Sequence, residues 1–311
     1  MKTKNLITYL VIAAFIFSLA SCSKSSSGSG SGSTGTDAAT QADDQTFYTN
    51  ETDYATNDAG AALTTNGGSY SQERPEGLPL IPLSCDAAVT VDTNATGLRT
   101  ITITYDGANC STFNHERTGT IVVSFYPGFR WGAQDSSLTI TFNLTVQRIS
   151  PAKTITITGT RTITNLTGGL LSDLLLLPPT VDSVAYGITD NTTVTFDTIS
   201  QQRSWQTSLR RTYTADETNT ITILGGLNGT NRFGGNFSAA ISEPLIISEC
   251  NGFLYASGQV TYSGALGGTS TTTFGLTTTG AAAASCSTNL YYQFIWNGPN
   301  GGKYDSGYVG Y

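Results

Sequence analysis

The sequence predicts an all-β protein with a large antiparallel, sandwich-like body, and three observations lead there. From about residue 85 apolar residues alternate with Thr; clusters of Gly, Asn and Asp interrupt the alternation; and no stretch of comparable quality keeps helical spacing. The clearest run is Leu138-Thr139-Ile140-Thr141-Phe142-Asn143-Leu144-Thr145-Val146. Its period of two places Leu138, Ile140, Phe142, Leu144 and Val146 on one face and hydroxyls on the other, as in a strand buried on one side. Similar runs occupy residues 100–105, 120–125, 154–163, 194–199, 220–224 and 258–262. The Leu-rich run 170–177 stops at Pro178-Pro179 and reads as a loop or single turn closing a core edge. Roughly a dozen strands fit one two-sheet body or two small β units in series, and the single body is the expectation.

Ahead of the body, Met1-Lys2-Thr3-Lys4 gives a basic start, and residues 6–17 form an apolar run too short to span a bilayer comfortably. The run ends in Leu19-Ala20-Ser21-Cys22, which resembles the lipobox of bacterial lipoproteins, where the cysteine thiol takes a diacylglycerol. Residues 1–21 are therefore expected to be a signal peptide, and Cys22 the lipidated residue that attaches the chain to a membrane. Residues 22–79, rich in Ser, Gly and Asp, are expected to form a flexible tether, and residues 80–311 the β domain. Ser23 in place of Asp favours the outer membrane by the same resemblance, on either the periplasmic or the surface face. Gln41-Ala42-Asp43-Asp44 is similar to the acidic export tag of Bacteroidota surface lipoproteins, but it is displaced from the cysteine.

The formal charge is −7, and −9 once Lys2 and Lys4 leave with the signal, which argues against a nucleic-acid partner. After Cys22, four cysteines remain: Cys85, Cys110, Cys250 and Cys286. An even number in an oxidising compartment favours disulfides, with Cys85 to Cys110 and Cys250 to Cys286 preferred because each closes a short loop around a strand pairing. A zinc site is disfavoured, since no Cys-x-x-Cys spacing exists and His115 is the sole histidine; no cofactor is expected.

The segments Asp106-Gly107-Ala108-Asn109-Cys110, Arg117-Thr118-Gly119-Thr120-Ile121, Gly159-Thr160-Arg161-Thr162-Ile163-Thr164-Asn165 and Gly229-Thr230-Asn231-Arg232 carry a further likeness. With the Cys85, Cys250 and Cys286 regions they resemble a group of uncharacterised secreted Bacteroidota lipoproteins over most of residues 80–290. The resemblance implies a lineage but no activity. Ala281 to Ala284 depart from the charged or Gly-rich segment of that group, so the last loop is expected to differ.

Catalytic chemistry is thinly provided for. His115 sits in Phe113-Asn114-His115-Glu116-Arg117, read as a solvated turn, and Asp135, Asp173, Asp182, Asp190, Asp197, Asp216 and Glu217 all fall in expected turns. Gly30-Ser31-Gly32-Ser33-Thr34-Gly35 matches a dinucleotide fingerprint but follows no strand and is a false positive. The expectation is a noncatalytic interaction or structural protein, contacting a glycan or an envelope protein, its oligomeric state open. Candidate ligand contacts are Tyr292, Trp296 and Tyr304 in the aromatic C-terminal region, though the preferred reading puts Tyr292, Phe294 and Trp296 on the inward face of a final strand. Ser183 and Thr198 follow Asp in triplets resembling the Bacteroidota O-glycosylation acceptor. An ice-binding Thr surface and a hydrolase are remote alternatives, the first because Thr-x-Thr has no fixed repeat here.

Overall fold

The computed structural model describes residues 35–65, 84–93, 98–108, 115–125, 129–174, 179–197, 201–251, 254–264, 267–287, 289–299 and 302–310. The described chain divides into two compact units: the first holds Asn50–Ala215, the second Asp216–Tyr311 with residues 35–49.

In the first unit the alternating segments become β1 (Ala87–Thr93), β2 (Arg99–Asp106), β3 (His115–Phe125), β4 (Ser137–Arg148), β5 (Lys153–Asn165), β6 (Ser183–Phe196) and β7 (Arg203–Thr214). Each strand pairs antiparallel with the next. Between β5 and β6 the Leu-rich run makes one short helical turn, α2 (Leu171–Leu174). The second unit repeats the pattern with β8 (Thr220–Thr230), β9 (Asn236–Ser248), β10 (Tyr255–Gly264), β11 (Thr269–Leu276), β12 (Tyr291–Asn297) and β13 (Lys303–Gly310). The all-β antiparallel class is thus observed. Within each unit, however, the strands run as a meander in chain order, not as two facing sheets.

The reason lies in residues 35–65, where the expected flexible tether is instead an α-helix, α1 (Gly35–Thr65). It contains no Pro, is rich in Ala, and carries Asp37 in its first turn, where the helix dipole favours a carboxylate. Thr46 and Thr56 turn their hydroxyls back to the carbonyls of Ala42 and Thr52, so these β-branched residues are accommodated. In the first unit, α1 takes the place that a second sheet would have in a sandwich. Ala55, Ala59, Ala61 and Ala62 are fully buried.

That face is built by the period-two pattern. Ile101, Ile103, Ile121, Val123, Ile140, Leu144, Val146, Ile155 and Ile157 are all solvent-inaccessible. Gly119 and Gly159 fall in the same phase with φ of 107° and 114°, and a side-chain carbon there would meet the Asn143 and Asn191 carbonyl oxygens at 2.2 and 2.4 Å. The missing side chains let long strands bend without breaking the ladder. The opposite face bears neutral ranks in register: Thr139, Thr162 and Thr189 in one row, Thr145, Thr156 and Thr195 in another.

Candidate functional site

Two strand arginines of the first unit occupy the apolar phase. In β3, Arg117 is in step with Ile121 and Val123; in β5, Arg161 is in step with Ile157 and Ile163. Both are buried, and α1 supplies partners for both. Arg117 forks onto Asp86 at 2.9 and 2.6 Å and donates to Asp58 at 3.0 Å, while its guanidinium lies 4.2 Å over the Tyr105 ring. The Tyr105 hydroxyl donates to the same Asp58 carboxylate, and burial together with that carboxylate pushes its pKa well up. Arg161 forks onto Asp190 at 2.7 and 2.8 Å and donates to Asp53, Thr52 and Thr56. Arg211 reaches the second oxygen of Asp53 at 2.8 Å. These charges replace water by charge-assisted bonds and fix where α1 sits on the strands.

Asp190 is therefore not a turn residue, and His115 not a solvated one. His115 opens β3 and is buried, its Nδ1 2.9 Å from Glu51 with the Tyr54 ring edge-on at 5.3 Å. At 6% and 2% exposure, His115 and Glu51 form an interior pair. Asp173 and Asp216 do serve turns, accepting bonds from Leu170 and from Thr218 and Thr220.

Burial alone would raise the Asp53 pKa, but Arg211 and Arg161 outweigh it and hold the carboxyl below its ordinary value of 3.8. A carboxyl depressed on folding contributes stability that is complete above its unfolded pKa and is lost as pH falls through the folded one. Urea unfolding of the first unit should accordingly weaken as pH drops below about 4, and Asp53→Asn should flatten that dependence.

The second unit contains a cleft of about 40 Å³. Alternation along β12 places Tyr292, Phe294 and Trp296 on its buried side, as the inward-face reading has it; Tyr304, opposite Trp296 on β13, is half-buried. Phe294 and Trp296 instead wall the cleft together with Phe237 and Tyr262. Gln41 and Asn231 also line it, and both are buried. Among the described residues, the Gln41 amide oxygen and nitrogen and the Asn231 amide nitrogen have no hydrogen-bond partner.

An ion pair places those amides. Arg232 forks onto Asp44 with two bonds of 2.6 Å, and Asp44 is fully buried. Gln41 lies three residues before Asp44 on the same helix face, and Asn231 directly precedes Arg232. Asn231 is further fixed because its Oδ1 accepts the Phe233 and Gly235 amides across the β8–β9 turn. Sequence reasoning missed Gln41, Asn231, Asp44 and Arg232 as site residues. The discarded tag residues Gln41 and Asp44 turn out to be interior.

Cys250 and Cys286 form the expected disulfide. Cys85 is also disulfide-bonded, while its expected partner Cys110, like the lipidation residue Cys22 and the acceptor Thr198, lies outside the described residues. Ser183 is half-buried at the start of β6. Among the described residues no cluster of His, Cys, Asp or Glu is placed to hold a metal ion, and no helix is long and apolar enough to cross a membrane. No protein-family model, curated protein or solved structure matches the chain.

Proposed function

We propose that this chain is an exported, lipid-anchored protein of the Bacteroidota outer membrane with a noncatalytic role in contact or structure. The observation that carries this reading is Leu19-Ala20-Ser21-Cys22 placed directly behind a basic start and an apolar run. Each buried acyl methylene contributes about 0.8 kcal/mol, so two or three chains on Cys22 hold a folded body at a bilayer without a spanning helix. Expression in a Gram-negative host with labelled palmitate should label the protein and carry it to the membrane fraction. Cys22→Ser should abolish both; a labelled Cys22→Ser chain would end the proposal. Protease shaving of intact cells distinguishes the surface face from the periplasmic one.

Within that role, the cleft of the second unit favours carbohydrate as the ligand. Its walls are aromatic, its free hydrogen-bonding groups are amides, and no charged side chain lines it. Such a site suits a neutral molecule with an apolar face and polar edges.

A further inference from the structure

Resting on the carbohydrate reading, we propose that the cleft beside Gln41 and Asn231 takes the acetamido group of an N-acetylated hexosamine. Burying an amide without a partner is unfavourable, and such groups persist where binding needs them. Here two neighbouring side chains bring three unpartnered amide atoms to one small cleft: both polar atoms of Gln41, at 6% exposure, and Nδ2 of Asn231, at 1%. The Asn231 orientation is set by the two turn amides that bond its Oδ1, which leaves Nδ2 as the end free for a ligand.

An acetamido group presents one N–H donor, one carbonyl with two lone pairs, and one methyl. The amide is trans, so its N–H and carbonyl point to opposite sides: Gln41 Oε1 accepts the N–H, Asn231 Nδ2 donates to the carbonyl, Gln41 Nε2 is left to donate to a sugar hydroxyl, and the methyl goes to the aromatic wall of Phe237, Phe294 and Trp296. The size agrees: at roughly 10–15 Å³ for one water-sized centre, the cleft admits about three such centres, a small group and not a whole sugar ring. The ring would lie at the rim, where Ser263, Gly264 and Gly268 are exposed. The neighbouring charges, Asp44 and Arg232, are bonded to each other, so the cleft offers nothing to a carboxylate, phosphate or amine.

The test is saturation-transfer NMR on the whole mature protein with N-acetylglucosamine and N-acetylgalactosamine, against glucose and galactose. The N-acetyl sugars are expected to bind, with the strongest transfer to the acetamido methyl. Gln41→Met keeps the side-chain length and removes both amide atoms; it should weaken binding about tenfold or more while leaving the thermal midpoint unchanged or higher. Asn231→Asp keeps the turn acceptor, removes the donor, and should weaken binding likewise. Equal binding of plain and N-acetylated hexoses would overturn the acetamido assignment while sparing the carbohydrate reading. Binding undiminished in Gln41→Met would place the site elsewhere and overturn it too. If no sugar binds, both readings fall, and the amides are served by internal water.

Discussion

Arg161→Ala should be the most damaging single substitution in the first unit, costing about 3–5 kcal/mol. Arg161 is 2% exposed and bonded to Asp53, Asp190, Thr52 and Thr56. Truncation leaves Asp190 buried without its guanidinium and Asp53 with Arg211 alone. Against a total stability of roughly 5–15 kcal/mol that is a large fraction, and at roughly 2–4 °C per kcal/mol the thermal midpoint should fall by about 10 °C. The physical claim is that the loss comes from stranded carboxylates and not from the ion pair's intrinsic strength. Arg161→Met combined with Asp190→Leu removes both charges of the fork and leaves Asp53 its Arg211 partner. That double variant should recover most of the stability, because replacing a buried pair by apolar groups is often neutral. A double variant as unstable as Arg161→Ala would show that Arg161 acts through packing.

The same arginine shows what could and could not be read from the sequence. Period-two alternation identified the strands because a half-buried sheet writes its two environments onto successive residues, as Leu138 to Val146 do. Helix α1 wrote no such contrast. It is buried on most sides, by apolar residues such as Phe47, Tyr48 and Leu63 and by polar ones such as Asp44, Glu51, Asp53 and Asp58. Its carboxylates therefore read as the solvated charges of a tether. The missed signal was in the strands: Arg117 and Arg161 stand in phase with buried Ile and Val, and a charge on that face requires a buried partner. The aromatic phase of β12 was legible, and Tyr292 and Trp296 follow it inward. That Trp296 walls a cleft was not, since Gln41 and Asn231, which also line it, lie 190 residues apart in the chain and neighbour the long-range Asp44–Arg232 fork.

Cysteine spacing was the other legible constraint, and it leads to the second large effect. Cys250 and Cys286, 36 residues apart, tie the short 3₁₀ turn Glu249–Asn251 after β9 to the segment leading into β12. Asn251 reinforces the tie by donating to the Ser287 carbonyl at 2.7 Å. A closed loop of this length removes chain entropy from the unfolded state worth about 3–4 kcal/mol at 25 °C. Replacing both cysteines by Ala should cost the second unit about that much, and it should open β9 to β12 first. Amide hydrogen exchange on oxidised and double-Ala proteins would locate the loss. Protection should fall for Ile247, Val260, Phe274 and Phe294, and be retained for Ile103, Ile121, Ile140 and Ile157. Equal loss at both sets would mean that the two units unfold as one cooperative block, because a crosslink confined to one independently unfolding unit cannot change the opening equilibrium of the other.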